Sequence, residues 1–425
     1  MHAYLSPTHY LVQNGLWKAI PNFETPYSFF GHPPGLYIAL AFLHRLFGEH
    51  IWISHLVVVL CSFAGVYFTY LLAKVICNRM TGVLAALFLF SSPIYFAQTG
   101  LFHGDIFITT LGIMSVYYAI THNYPAYLIS GICLVMAKES AAAIIVALLL
   151  YLYFENRNQP PVRVKLLRYG VPLIILSVFF IIQKIITGTV LPNPYFNNHS
   201  FFNPSTKSLE WVFYRQGRGA LTLLTLFALF FHWRSFMKRE FALWMVIIGF
   251  FIVTYSFIYF LPRYILPALP YFFIYSAYAI VLLFNHVATQ LLAAAPIITL
   301  FISQLYGTGT GYGSFETDMQ YVDIVTTHKA ACRYVEKTYP GKKILALWPL
   351  AKVMEEPSMG YVHKPLTIVT LNEVSDIILY TPQGTKKNEE LKKIIQKRKY
   401  TLDKRYEKNG KFVEIYTAKV AAIPE

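Results

Sequence analysis

Apolar positions dominate the first three quarters of the chain in runs long enough to cross a bilayer, which takes about 20 residues as a helix. Such runs fall at about 52–76, 80–97, 105–121, 168–188, 241–260, 264–284 and 287–306, with a shorter one at 219–232. Residues 36–47 form an amphipathic stretch too short to span. Residues 124–154 form one long run broken by Lys138-Glu139-Ser140. From about residue 310 the pattern changes. Asp323 to Tyr339 reads as an amphipathic helix closed by the turn Pro340-Gly341. Short strand-like runs follow at Lys343 to Trp348, 365–371 and 376–380. A Lys-rich helix over about 387–399 leads to a hairpin, Tyr400–Tyr406 and Phe412–Ala418, turning at Asn409-Gly410. The prediction is an α-helical polytopic membrane protein of about 9–10 spans over residues 1–310, with a small C-terminal α/β domain over 311–425.

The charges sharpen that division. Of the 425 residues 13% are charged, against about 25% in soluble domains, and residues 1–310 hold 17 Lys/Arg and 7 Asp/Glu against 19 and 14 in the tail. The net charge of +15 does not mark a nucleic-acid binder, because the basic residues of the first part cluster in short loops between apolar runs. Basic loops stay on the cytoplasmic side. That rule puts the Lys74/Arg79 turn, the Arg157–Arg168 loop and the Arg234–Arg239 loop inside, provided that 124–154 crosses twice and turns at Lys138. Residues 1–35, Asp105, Lys138, the loop 189–218, Arg263 and the C-terminal domain then share the outer face. The four cysteines, Cys61, Cys77, Cys133 and Cys332, have neither metal nor redox spacing, and Met1 to Phe30 has no apolar core of a signal peptide.

Acids are scarce enough to single out. Asp105, the one aspartate before residue 310, begins an apolar helix in Phe102-His103-Gly104-Asp105-Ile106. A charge there has two readings, a functional group or a cap for the helix N-terminus. Lys138-Glu139 is either an ion pair at a helical turn or a cation offered to an anion, since Lys binds phosphate as a point charge. Arg263, between Pro262 and Tyr264, either snorkels to the interface or does the same. His32-Pro33-Pro34 is a stiff extended element with an imidazole that can meet a phosphate or a metal. In the loop 189–218 the aromatic residues Tyr195, Phe196, Phe201, Phe202 and Trp211 suit interfacial anchoring or stacking on a sugar, and Arg215 and Arg218 can meet a lipid phosphate. Asn198-His199-Ser200 is read as a plain loop. These residues describe an outward cavity with one carboxylate and several cations, which suits either a lipid-linked phosphate substrate or anion transport.

The order of residues resembles the polytopic GT-C glycosyltransferases, in particular the bacterial relatives of protein O-mannosyltransferases and of aminoarabinose transferases. The resemblance rests on Gly15-Leu16-Trp17, Pro21, Pro26-Tyr27 and His32-Pro33-Pro34-Gly35-Leu36-Tyr37 in a first outer loop within residues 1–50. It continues through Leu46-Phe47-Gly48, Ser92-Pro93, Asp105, Ala137-Lys138-Glu139-Ser140 and Arg263-Tyr264-Ile265-Leu266-Pro267. It implies transfer of a sugar from a polyprenyl-phosphate donor to a lipid, glycan or protein acceptor on the outer face of the inner membrane. A base deprotonates the acceptor while cations, or a divalent metal in some members, stabilise the leaving phosphate. It also implies that Asp105 orients the acceptor or a metal, that His32 approaches the phosphate, and that Lys138, Glu139, Arg263 and Tyr264 line the donor site. The family's first helix and first loop acid would precede Met1, so the sequence is expected to be truncated at its start. Glu24 is the one candidate substitute base. A catalytically inactive subunit of the same fold and an anionic-lipid transporter are the rival classes. The absence of repeats and the grouping of polar residues at one face count against the transporter.

Overall fold

The structure, a computed structural model, describes residues 2–20, 32–157, 162–188, 190, 206–257, 260–307, 316–382 and 388–418. It divides into two compact units, Ala3–Thr308 with Glu316–Asp318, and Met319–Glu425.

The first unit is helical throughout. Helix α1 (His2–Asn14) and a 3₁₀ turn at Leu16–Ala19 precede α2 (Gly35–Phe47). The sequence gives α1 no apolar periodicity. It is held by α2 and the turn after it, where Arg45 donates to the Val12 carbonyl at 2.8 Å and Glu49 pairs with His9. Then follow α3 (Ile51–Ile76), α4 (Arg79–Ser91), α5 (Pro93–Gln98), α6 (Gly104–Ile120), α7 (Tyr124–Ala137), α8 (Ala142–Asn156) and α9 (Val162–Thr187). The unit continues with α10 (Lys207–Phe213), α11 (Arg218–His232), α12 (Arg239–Phe257), α13 (Leu269–Leu283) and α14 (Val287–Ser303). Among the described residues six helical segments are long and apolar enough to span a membrane, and five more helices of 10–17 residues are apolar. The expected break at Lys138 is present, with Lys138 in extended backbone between α7 and α8. Asn78 caps α4 and Asn123 caps α7, each accepting from a backbone N–H.

Burial shows which helices form the core. All residues from Leu269 to Ile280 in α13 are buried, and α13 packs on α4 and α11. In α9 and α11, by contrast, Ile185, Leu223 and Phe230 are at least 70% exposed. Large apolar side chains at that exposure suit lipid rather than water.

The second unit is a mixed sheet between helices. Its strands are β1 (Ile344–Leu345), β2 (Ile368–Val369), β3 (Ile377–Tyr380), β4 (Thr401–Lys408) and β5 (Lys411–Thr417), in the order β2-β1-β3-β5-β4. β1 runs parallel to β2 and β3, and β5 runs antiparallel to β3 and β4. Alternation along each strand sorts the two faces. Ile377, Leu379, Val413 and Ile415 bury against Ala331, Cys332 and Val335 of α15 (Tyr321–Thr338), whereas Leu345 and Ile378 bury against Leu391 and Ile395 of α17 (Asn388–Lys397). Asn409 and Gly410 both take positive φ, 48° and 74°, as a two-residue hairpin loop requires. The parallel strands are shorter than the apolar runs suggest. Helix α16 (Leu350–Glu355) follows β1 directly, and its Met354 carbonyl accepts from Leu366 N ahead of β2.

Candidate active site

Three elements bring the scarce charges of the first unit together. Asp105 sits in the first turn of α6, where the helix dipole favours an anion. Lys138 ends α7, and its extended backbone turns the side chain toward α6. Arg263 belongs to the 3₁₀ turn Pro262–Ala268 that leads into α13. Lys138 Nζ lies 2.8 Å from Asp105 Oδ1, and Arg263 Nε lies 3.1 Å from Asp105 Oδ2. Asp105 is 2% exposed, so a carboxylate with a different cation on each oxygen is removed from water. Such a group persists only when paired. Tyr264 covers the pair: its ring centroid is 4.5 Å from Lys138 Nζ, and it stacks on Tyr255.

Two groups that the sequence does not single out complete the cluster. Glu316 pairs with Arg263 Nη1 through Oε2. Its other oxygen is 3.7 Å from Nε2 of His103, whose Nδ1 is 2.8 Å from Gln98 Oε1. Burial, with Arg263 and Lys138 nearby, holds the His103 pKa well below the ordinary 6.5, so the ring is neutral. Glu316 stands at the start of an acid-rich tail, where one more acid carries no signal. The apolar context of Asp105, Lys138 and Arg263 is what makes those three visible.

The remaining candidates fall into three places. His32 Nδ1 is 3.0 Å from Glu139 Oε2, so the two residues named from separate motifs form one pair beside Lys138. Arg218 is fully buried at the start of α11 and donates through Nε and Nη2 to the Trp211 carbonyl, 2.9 and 2.6 Å. Among the described residues its link toward the cluster runs through Gln216, which accepts from Arg218 and donates to the Thr317 carbonyl. Arg215, exposed, pairs with half-buried Glu210 at 2.6 Å, and among the described residues none of its contacts joins it to Asp105. Glu24 and the aromatic residues Tyr195 to Phe202 lie outside the described residues. Among the described residues no three His, Cys, Asp or Glu side chains are grouped to hold a metal ion.

Residues 31–182 match the sequence model of the dolichyl-phosphate-mannose-protein mannosyltransferase family. That segment contains His32, Asp105, Lys138 and Glu139 but neither Arg263 nor Glu316. Among solved structures the chain is similar to ArnT from Cupriavidus metallidurans in the apo state, at 13% identity over 98% of this chain and 92% of that one, with a TM-score of 0.59. It is equally similar to that ArnT bound to undecaprenyl phosphate, at 13% identity over 99% and 94%, with a TM-score of 0.60. No curated protein sequence matches it. The chain is therefore a polytopic membrane protein with the fold of ArnT, and residues 31–182 match the dolichyl-phosphate-mannose-protein mannosyltransferase sequence model.

Proposed function

We propose that this chain transfers a sugar from a polyprenyl-phosphate donor to an acceptor on the extracytoplasmic face of the plasma membrane. The observation that carries the reading is the triad of buried Asp105 and Lys138 with half-buried Arg263, at the helix ends that the charge bias assigns to the outside. The binding of undecaprenyl phosphate by an ArnT of the same fold supports that donor class.

In this reading the donor phosphate lies against Lys138 and Arg263. Lys138 meets it as a point charge, and Arg263 offers a planar fork suited to two phosphate oxygens. Asp105 fixes where both cations stand before the donor arrives. As the glycosyl–phosphate bond breaks, charge grows on the phosphate in a water-poor site. Preorganised cations are worth most there. The His32–Glu139 pair holds the first outer loop, with its rigid Pro33-Pro34, against the same break between α7 and α8. The C-terminal unit follows the last apolar helix and, by the same charge bias, is extracytoplasmic.

The test is Asp105→Asn, assayed for transfer from undecaprenyl-phosphate sugars together with membrane insertion. Transfer is expected to fall at least about 100-fold, the scale of losing one preorganised electrostatic contact, while insertion is retained. Normal transfer by the variant would remove Asp105 from the reaction. A wild-type chain that binds undecaprenyl phosphate and releases no sugar would instead favour a binding subunit of the same fold.

A further inference from the structure

A guanidinium offers an oxyanion two edges, one containing Nε and the other made by Nη1 and Nη2. On Arg263 both edges hold a carboxylate. Asp105 Oδ2 faces Nε at 3.1 Å, and Glu316 Oε2 is on Nη1. Asp105 is built into the first turn of α6, and its other oxygen is on Lys138, so the Nε edge is fixed. A phosphate that takes Arg263 with two oxygens therefore needs the Nη1–Nη2 edge, where Glu316 sits.

Glu316 reaches that edge from the chain beyond α14 rather than from a membrane helix, and its main chain is fastened by two glutamines. Gln98 Nε2 donates to the Glu316 carbonyl at 2.7 Å, and Gln216 Nε2 donates to the Thr317 carbonyl at 2.8 Å. Gln216 is itself held, its Oε1 accepting from Ile94 N at 3.2 Å and from Arg218 Nη1 at 3.3 Å. The backbone is pinned at the site, while the carboxylate hangs on a flexible stem and is 14% exposed, against 2% for that of Asp105. Of the two carboxylates on Arg263, Glu316 is the one that can leave.

The charges of the cluster point the same way. Asp105 and Glu316 cancel Lys138 and Arg263 in formal charge. A sugar-phosphate diester brings a single negative charge, which meets a neutral cluster as long as both carboxylates stay. With Glu316 turned off Arg263, one cation is left uncompensated and matches that charge. Transfer then leaves a phosphate monoester, whose charge near neutral pH is about −1.5 to −2. A cluster that only attracts phosphate would hold this product more tightly than its donor. A tethered carboxylate that competes for Arg263 opposes that.

We propose that Glu316 is the group for which the lipid phosphate is exchanged: it occupies the phosphate edge of Arg263 in the empty site, yields that edge to the donor, and takes it back when polyprenyl phosphate leaves. This rests on the transfer reading above for the identity of the donor. No covalent bond is made or broken in the exchange. Glu316 acts through Arg263, so it is a positioning residue, and it keeps the product from being held too tightly to leave.

The experiment measures undecaprenyl phosphate binding by the full chain in nanodiscs, for wild type, Glu316→Gln, Glu316→Ala, Arg263→Ala and the double variant Arg263→Ala with Glu316→Gln. Both Glu316 variants are expected to bind about tenfold more tightly than wild type, the factor by which a competitor that fills the site nine times in ten lowers an apparent affinity. A residue that merely braced Arg263 would give the opposite sign, so unchanged or weaker binding in either variant would overturn the exchange. In the Arg263→Ala background, loss of Glu316 is expected to bring no gain, because the competition runs through that guanidinium. A gain that persists there would assign the effect to general charge and overturn the exchange as well. The same wild-type chain is offered undecaprenyl-phosphate-linked mannose and aminoarabinose. If it cleaves neither while the Glu316 variants bind more tightly, the transfer reading fails and the exchange stands. If neither wild type nor Glu316→Gln binds undecaprenyl phosphate, both fail.

Discussion

Asp105 and His328 show two ways in which a buried ionisable side chain is held. Asp105 is balanced by Lys138 and Arg263 from two other elements, and removing one partner of such a pair costs about 3–5 kcal/mol. That cost is why the trio was legible in the sequence: a charge inside an apolar run needs a partner or a function. His328, in α15, is 3% exposed, and its Nε2 has no hydrogen-bond partner among the described residues. Burial alone lowers its pKa from the usual 6.5 to about 4. Because the folded state holds the neutral ring and the unfolded chain takes up the proton first, stability is intact above about pH 7. It declines as pH falls from 6.5 toward 4 and then levels off. A shift of that size is worth about 3 kcal/mol. Hydrogen exchange of the α15 amides in the full chain should accelerate across that pH range. In His328→Leu the acid limb should be flat; an equally steep limb in that variant would assign the pH dependence to other groups.

The element scale is where the site is assembled, and the contact between α2 and α7 decides it. An added Cβ on Gly35 would stand 2.7 Å from Met136 Cβ and 2.8 Å from the Met136 carbonyl oxygen. A backbone atom cannot swing aside as a side-chain tip can, so α2 itself has to move. Gly35 is three residues from His32, and Met136 is three from Glu139, so the shift falls on the His32–Glu139 pair. Gly35→Ala is expected to cost about 1–3 kcal/mol, the usual range for overpacking, and to reduce transfer several-fold. Gly249→Ala, in α12 with nothing within 4 Å of the new methyl, should be neutral or slightly stabilising. Thermal unfolding of the two variants checks the contrast, and equal midpoints would show that α2 adapts freely. Hydrophobic period and length made the helices legible, and Asn409-Gly410 made the hairpin legible. Helix α1 was not, and for β1 and β2 the apolar runs marked the place of each strand but not its two-residue length. Their limits are set by contacts with distant segments, such as Arg45 on Val12, rather than by their own sequence.

For the membrane unit as a whole, the contacts sort the helix ends into two sets. One set joins Lys238 to the Ile76 carbonyl, Tyr151 to Glu240, Lys165 to Asn156, and Arg168 to the Tyr124 ring. The other joins His32 to Glu139, Asp105 to Lys138 and Arg263, and Gln216 to Ile94 and Thr317. No contact named here crosses from one set to the other. The sorting requires α7 and α8 to run in opposite senses about Lys138, the same parity that the basic loops require. The first set carries Lys74, Arg79, Arg157, Arg163, Lys165, Arg168, Arg234, Lys238 and Arg239 against Glu155 and Glu240. An excess of Lys and Arg in short loops favours the cytoplasmic side for such ends, and the proposed function takes the charged cluster to lie outside on that ground. Cysteine substitutions at His122 and Arg163 should therefore react with an impermeant maleimide only after the membrane is opened. Alkaline phosphatase fused after residue 425 should be active in intact cells. An inactive fusion, with His122→Cys labelled from outside, would invert the protein, and a lipid phosphate would then have to reach Lys138 and Arg263 from the cytoplasm.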